Sequence, residues 1–258
     1  MNLDIGQILD DWPYDPGQVS VRRVRGRDGK DKIQLRLDLG MLQMEISGRP
    51  DGQRPHGFES LLDYHEHRLA AYRQERGGEE GFKLDEEACS LLRAEGVMYY
   101  HRYLAEFVLE DFAAVERDTM RNLRLLDFCQ AHAKERSDRF AQEQYRPYVL
   151  MMCARARATL ALRSNRPKAA LAAVRKGIED IHEFLRRFGQ EKVASASGEI
   201  GVLRAMEKDI QGRIPVDPVQ RLQKELARAV REERYEEAAA IRDRLAKLAE
   251  KNREPQDS

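Results

Sequence analysis

His65-Glu66-His67 is the stretch of this chain whose residue types come nearest to a metal site. Two imidazoles bind one zinc ion when both reach it, which on a helix requires the i, i+4 spacing of HExxH. Here they are two residues apart, so on a helix they point about 200° from each other and cannot share an ion. A pair of surface histidines, with no metal, is the expectation. His56, His101, His132 and His182 are scattered singly, and no Ser-His-Asp set can be assembled from them. Cys89, Cys129 and Cys153 are isolated and odd in number. Without a CxxC pair they build neither a zinc ribbon nor a redox motif, and they read as buried small hydrophobes. Basic and acidic residues number 45 each, a balance expected of exposed, ion-paired helix faces. No active site emerges, and the expectation is a protein without enzymatic activity and without a cofactor.

Phosphate binding is the other chemistry the residue types allow. Arg22, Arg23, Arg25, Arg27, Lys30, Lys32 and Arg36 crowd one short region against Asp28 and Asp31. A basic two-stranded ribbon of this kind can lie along phosphates, and its binding would weaken steeply with salt. Arg22, Arg23, Arg25 and Lys32 are the candidate phosphate ligands. A solvated edge strand kept from aberrant pairing by its charge is the competing expectation. The region lacks aromatic residues on which bases could stack, which disfavours single-stranded nucleic acid. A net charge of zero excludes a protein whose whole surface coats nucleic acid.

These residues must be held by elements that the hydropathy pattern outlines. Val19 to Val24 and Ile33 to Leu39 flank Gly26-Arg-Asp-Gly29, and Ile33, Leu35, Leu37 and Leu39 alternate with polar residues as in a half-buried strand. After Gly40 the phase shifts to Leu42, Met44 and Ile46, so Gly40 marks a bulge or a turn into a third strand. Turn residues from Gly48 to Pro55 close the sheet. From Phe58 the period becomes helical, with Phe58, Leu61, Leu62, His65, Leu69 and Tyr72 on one face before Gly77-Gly78. Asp85 is placed to cap a long helix, a helix around Val115 and Leu126 follows, and another starts near Asp138 and is bent or interrupted at Pro147. Pro167 opens the next helix, Gly189 stops it, and a shorter one starts near Ser197. Twenty-eight alanines against two threonines favour helix throughout.

Arg213-Ile-Pro-Val-Asp-Pro218 is the clearest boundary, and Asp217-Pro218 supplies an N-cap and first-turn pair for a new helix. Beyond it, Val219, Leu222, Leu226, Ala229 and Val230 make one apolar stripe, and Tyr235, Ala238, Ile241, Leu245 and Leu248 a second. Only Glu232-Glu233-Arg234 separates them, so the two helices fold back as an antiparallel hairpin. A hairpin of about 35 residues buries too little apolar surface to be stable alone. The last residues, Asn252 to Ser258, are polar and expected to fray.

Leu222-Gln-Lys-Glu-Leu-Ala-Arg-Ala-Val230, Arg234-Tyr-Glu-Glu-Ala-Ala239 and Ile241-Arg-Asp-Arg-Leu245 resemble the UVR motif. That motif is shared by the UvrB and UvrC subunits of bacterial excision repair and by some Clp-protease ATPases and their adaptors. The resemblance implies a bacterial protein with a protein–protein docking module, which pairs with another UVR hairpin and has no catalysis of its own. Its partner-binding residues would be Leu222, Leu226, Tyr235, Glu236, Ala239, Arg242, Asp243 and Leu245, with Tyr235 as anchor. No GxxxxGK[ST] phosphate loop is present, so the ATPase of UvrB is not implied. The region from about 84 to 213 is weakly similar to tetratricopeptide repeats, in Leu109-Glu-Asp-Phe-Ala-Ala-Val115 and Ser164-Asn-Arg-Pro-Lys-Ala-Ala-Leu171. Those two turns lie 55 residues apart rather than at the regular period, so an irregular helical bundle is the competing expectation.

The expected fold is mostly α with a small N-terminal β-meander, an α+β arrangement. Residues 1–56 form the meander, 57–213 a TPR-like helical body, and 217–253 the helical hairpin. The expected function is a non-enzymatic adaptor that docks a UVR-bearing partner or its own twin, while the body holds a second protein. The alternative is a nucleic-acid-associated factor in DNA repair or stress response. Met1 to Asp15 is acidic without an apolar core, and no apolar run approaches the roughly 18 residues of a membrane span. A cytoplasmic protein without membrane contact is expected.

Overall fold

The computed structural model describes residues 4–214 and 218–251, the side chains of 218–221 and 247–251 excepted. Asp217 as a helix cap, the fraying of Asn252 to Ser258, and the side chains of Val219 and Leu248 therefore lie outside the described residues. The chain divides into two compact units, Met1–Ile210 and Gln211–Ser258.

After a single helical turn, α1 (Gly6–Leu9), the first unit opens with three antiparallel strands, β1 (Val21–Arg25), β2 (Asp31–Leu37) and β3 (Gly40–Glu45), paired in the order β1-β2-β3. Arg23 faces Ile33 across the first pair and Leu35 faces Leu42 across the second. The Gly26–Gly29 turn works because Gly29 takes φ 75, while Gly26 N–H donates to the Lys30 carbonyl at 2.7 Å. Leu37 pairs with Gly40, so the phase shift seen in the sequence is a two-residue turn into a third strand. Leu39 does not continue β2: it occupies that turn and is 90% exposed.

β2 is buried on both faces, as a central strand should be. Ile33 and Leu35 pack with Met44 of β3 and with Ala105 of the helical layer. On the opposite face Gln34 donates to Gln43 Oε1 (2.9 Å) and accepts from Arg22 Nε (2.7 Å). The Arg22 guanidinium lies over the Trp12 ring at 4.1 Å, and Arg36 donates to the Trp12 carbonyl at 2.8 Å. The N-terminal segment thus covers the polar side of the sheet.

Helices follow. α2 (Leu61–Arg76) starts at Ser60, whose hydroxyl accepts from Asp63 N–H at 3.1 Å, and ends at Gly77 with φ 74. α3 (Glu86–Val108) is capped by Asp85 and α4 (Phe112–His132) by Asp111. α5 (Arg136–Phe140) and a 3₁₀ turn (Glu143–Tyr145) precede α6 (Arg146–Arg163). Of the bend and the interruption that Pro147 allows, the structure shows the interruption, and the segment from Asp138 is two helices. Pro147 sits in the first turn of α6, where its missing N–H costs nothing. α7 (Pro167–Arg187) and α8 (Gly198–Arg213) complete the layer.

Leu62, Leu69, Phe82, Cys89, Leu92, Leu125, Phe128 and Cys129 form an apolar core among α2, α3 and α4. α6 packs between α4 and α7. Its close approach to α7 depends on Gly177, where a Cβ would fall 2.4 Å from the Ala154 Cβ and 3.2 Å from Leu203.

Charge runs through this interior. Arg102, Asp118, Glu95 and Glu106 are all about 1% exposed or less, and Arg121 is 8% exposed. Arg102 grips Asp118 with two bonds (2.6 and 2.9 Å) and donates to the Glu45 and Gly48 carbonyls (3.0 and 2.8 Å), tying the sheet to the helices. Arg121 pairs with Glu95, whose carboxylate also accepts from the Leu61 and Leu62 N–H groups at the start of α2. Burial first, then the charge of Asp118, pushes the Glu106 carboxyl up to about 8. The expectation that carboxylates and arginines would sit on exposed helix faces fails for these groups. Asp118 meets Arg102 across 16 residues, Glu95 meets Arg121 across 26 and the Leu61 N–H across 34, separations that no i, i+4 rule anticipates.

The second unit is α9 (Pro218–Arg231) and α10 (Tyr235–Lys251), packed antiparallel.

Candidate docking hairpin and basic strands

The turn between α9 and α10 is closed by its own backbone. Glu233 adopts φ 57, Glu233 N–H donates to the Val230 carbonyl (3.1 Å), and Arg234 N–H reaches the Ala229 carbonyl (2.8 Å). This double bond pattern satisfies the last carbonyls of α9 and reverses the chain in three residues. The same pattern joins α3 to α4 at Glu110 (φ 58) and α6 to α7 at Asn165 (φ 53). Both are the turns singled out in the sequence for their repeat-like look. Charges brace the hairpin turn. Arg228 pairs with Glu232 at 2.9 Å, and Arg234 bridges Glu232 (2.6 Å) and Glu237. Hydrogen bonds from Arg228 and Arg234 hold the Glu232 carboxyl below its ordinary range.

Leu222, Ala229, Ala238 and Ile241 are buried against one another, with Leu226 and Leu245 at the margins. These residues are the hairpin's own seam, so Leu222 is committed inside the module. Tyr235, Glu236, Ala239, Arg242 and Asp243 are exposed. Tyr235, Ala239 and Arg242, at i, i+4 and i+7, form a stripe beside the seam rather than in it. Tyr235 is 66% exposed, and Val230, across the turn on α9, is 51% exposed. Of the eight residues expected to bind a partner, the hairpin thus brings five to its surface and turns three inward.

The four candidate phosphate ligands are each already engaged. Arg22 binds Gln34 and Trp12, Arg23 pairs with Asp111 at 2.7 Å, and Arg25 pairs with Asp31 at 2.9 Å. Lys32, with a side chain only 11% exposed, lies between Asp28 and Glu45, and its hydrogen bonds to Glu45 and then Asp28 raise its pKa. A phosphate would have to displace a carboxylate from three of these four groups.

His65 and His67 do lie on α2, two residues apart, but His65 is buried and not a surface residue. Burial, then the nearby charge of Arg68, lowers its pKa to about 4, and Arg68 Nη1 donates to its Nδ1 at 3.2 Å. Other histidines sit against aromatic rings. His56 stacks on Tyr64 (4.0 Å), while His132 meets Phe82 edge-on (5.5 Å). Among the described residues no group of His, Cys, Asp and Glu is arranged to hold a metal ion, and no helix is long and apolar enough to cross a membrane.

One feature escaped the sequence reading altogether. A cavity of about 540 Å³ opens between α3, α4, α6 and the 3₁₀ turn, with Tyr100, Tyr103, Tyr145 and Tyr148 in its walls. The tyrosines are visible in the sequence, but they come from segments 40 residues apart, and nothing local says they converge.

A two-helix hairpin with a closed apolar seam, a charged brace and an uncovered aromatic at its turn defines a small interaction module. Residues 218–251 match the family model of the UvrB/uvrC motif, and the chain therefore carries a UVR motif, a known protein–protein interaction hairpin. The match covers the second unit and none of the first. No curated protein and no solved structure matches the chain.

Proposed function

We propose that the protein is a non-catalytic adaptor. Its UVR hairpin docks another UVR hairpin, on a partner protein or on a second copy, while the TPR-like helical body engages a second protein. The observation that carries this reading is the uncovered pair Tyr235 and Val230 beside the turn, on a module whose own seam is already filled. Aromatic residues with few rotatable bonds lose little entropy on burial and dominate interface energetics, which makes Tyr235 the anchor. Arg242 and Asp243 lie close by and would set register more than affinity. Engagement of Arg22, Arg23, Arg25 and Lys32 by internal partners favours the adaptor over a phosphate-gripping factor.

The test is capture from nuclease-treated lysate of the source cells, comparing the full chain with Tyr235→Ala, alongside sedimentation of each. Partner capture or self-association by the full chain, lost or weakened at least tenfold in Tyr235→Ala with the helical spectrum unchanged, is the expected result. Equal capture and equal sedimentation by the two would move function away from the hairpin. Binding that nuclease abolishes would instead support the nucleic-acid reading.

A further inference from the structure

The tyrosine-walled cavity lies wholly within the first unit, and its chemistry is independent of the hairpin. Its volume of about 540 Å³ falls in the range of small-molecule sites. Tyr100 meets Tyr103 at 5.6 Å with planes 87° apart, and meets Tyr148 at 6.2 Å with planes 61° apart. A cation seated among these four phenol rings can be met by ring faces. Those faces carry the negative end of the aromatic quadrupole and attract cations.

Charge in the lining points the same way. Glu199, hydrogen-bonded to Ser197 at 2.8 Å, is the only charged residue among those that line the cavity, and neither lysine nor arginine is there. Asn122, Gln142 and Gln144 contribute neutral amides. His101 also lines it, and burial lowers its pKa, so near neutral pH it supplies a ring rather than a competing cation. Arg155, the nearest basic residue to Tyr148 in sequence beyond Arg146, is occupied by the Phe107 ring at 4.3 Å. Arg146 is held by Asp127 and Glu143. An anion would find no positive partner in this lining, and a purely apolar ligand would leave Glu199 and the amides unused.

We propose that the cavity bounded by Tyr100, Tyr103, Tyr145 and Tyr148, with Glu199 in its lining, binds a metabolite-sized organic cation, of the quaternary ammonium or guanidinium type. The experiment titrates the full-length protein with choline and with agmatine by calorimetry. Each titration is repeated with 3,3-dimethylbutan-1-ol, the uncharged isostere of choline. Binding of at least one cation, with the isostere at least tenfold weaker, is expected. Tyr100→Leu should weaken the cation about tenfold, Tyr100→Phe should stay within about threefold of the parent, and Glu199→Gln should fall between them. Tyr100 is 36% and Tyr145 58% exposed, so Tyr145→Leu offers a second variant if Tyr100→Leu melts early. Absence of binding by both cations overturns the proposal. So does an isostere that binds as tightly as choline, or a well-folded ring-removing variant with unchanged affinity.

Discussion

Replacing Asp118 with alanine should be among the most damaging single changes in the chain. Asp118 is fully buried and accepts two bonds from Arg102, at 2.6 and 2.9 Å, plus one from Arg117 at 2.8 Å. Arg117 is half exposed and can turn to water, but Arg102 is 1% exposed and cannot. It would keep its bonds to the Glu45 and Gly48 carbonyls and a distant Glu106 carboxylate at 3.7 Å, with its charge otherwise uncompensated. Breaking a buried pair this way costs about 3–5 kcal/mol. For a unit of about 200 residues, each kcal/mol moves the melting temperature roughly 2–4 °C, so the melt should fall by roughly 6–20 °C. Thermal unfolding followed by circular dichroism reads this directly. The double variant Arg102→Met, Asp118→Leu should be more stable than Asp118→Ala, because no buried arginine is left without its aspartate and only the Glu45 and Gly48 carbonyls lose a donor. A loss under about 1 kcal/mol for Asp118→Ala, or a double variant at least as unstable as the single, would refute the account of Arg102 as a buried tie between sheet and helices.

Gly177→Ala should lower stability by about 1–3 kcal/mol in chemical denaturation, although alanine is the better helix former, because the added methyl collides with Ala154. Asn165→Val should cost about 1–2 kcal/mol while Asn165→Gly costs nothing, since the residue is exposed and only its positive φ distinguishes the two. His65 stays neutral in the folded chain down to about pH 4, whereas in the unfolded chain it binds a proton below about 6.5. Its contribution is therefore complete above pH 6.5 and lost as pH falls toward 4, and His65→Phe should flatten that acid limb in melts taken across the range.

The pattern of successes and failures in the sequence follows the range of the interactions involved. The α9–α10 hairpin was legible because everything that makes it is local: two 3–4 stripes, a three-residue turn, and prolines before it. The strand pairing was legible for the same reason. Leu39 was misassigned because alternation alone does not say where a strand stops; the turn needed Leu37 and Gly40 to be recognised as partners. At Pro147 the sequence leaves a bend and an interruption both open, because a proline in the first turn and one in a kink look alike without the carbonyls behind it. The buried ion network and the tyrosine cavity were invisible. Arg121 meets Glu95, and Tyr103 meets the wall made by Tyr148, only after α3, α4 and α6 have packed. The helical period puts His65 on the face of Leu61, Leu62 and Leu69, and that face, rather than the expectation of a surface histidine pair, decides its burial.

The three cysteines give the molecule an internal chronometer. Cys89, Cys129 and Cys153 sit in α3, α4 and α6, all buried, and burial raises the thiols of Cys89 and Cys129 to about 11 and 12. Alkylating reagents attack the thiolate, so in the folded chain these sulfurs are silent twice over, shielded and protonated. They react only when the first unit opens, and the rate of labelling counts those openings. A ligand seated among the tyrosines would lengthen the interval between openings by the factor 1 + [L]/Kd. The hairpin carries no cysteine, and a partner that grips it alone has no thiol to protect. One modification rate thus separates events in the body of the protein from events at its docking module, using only the thiols the chain already carries.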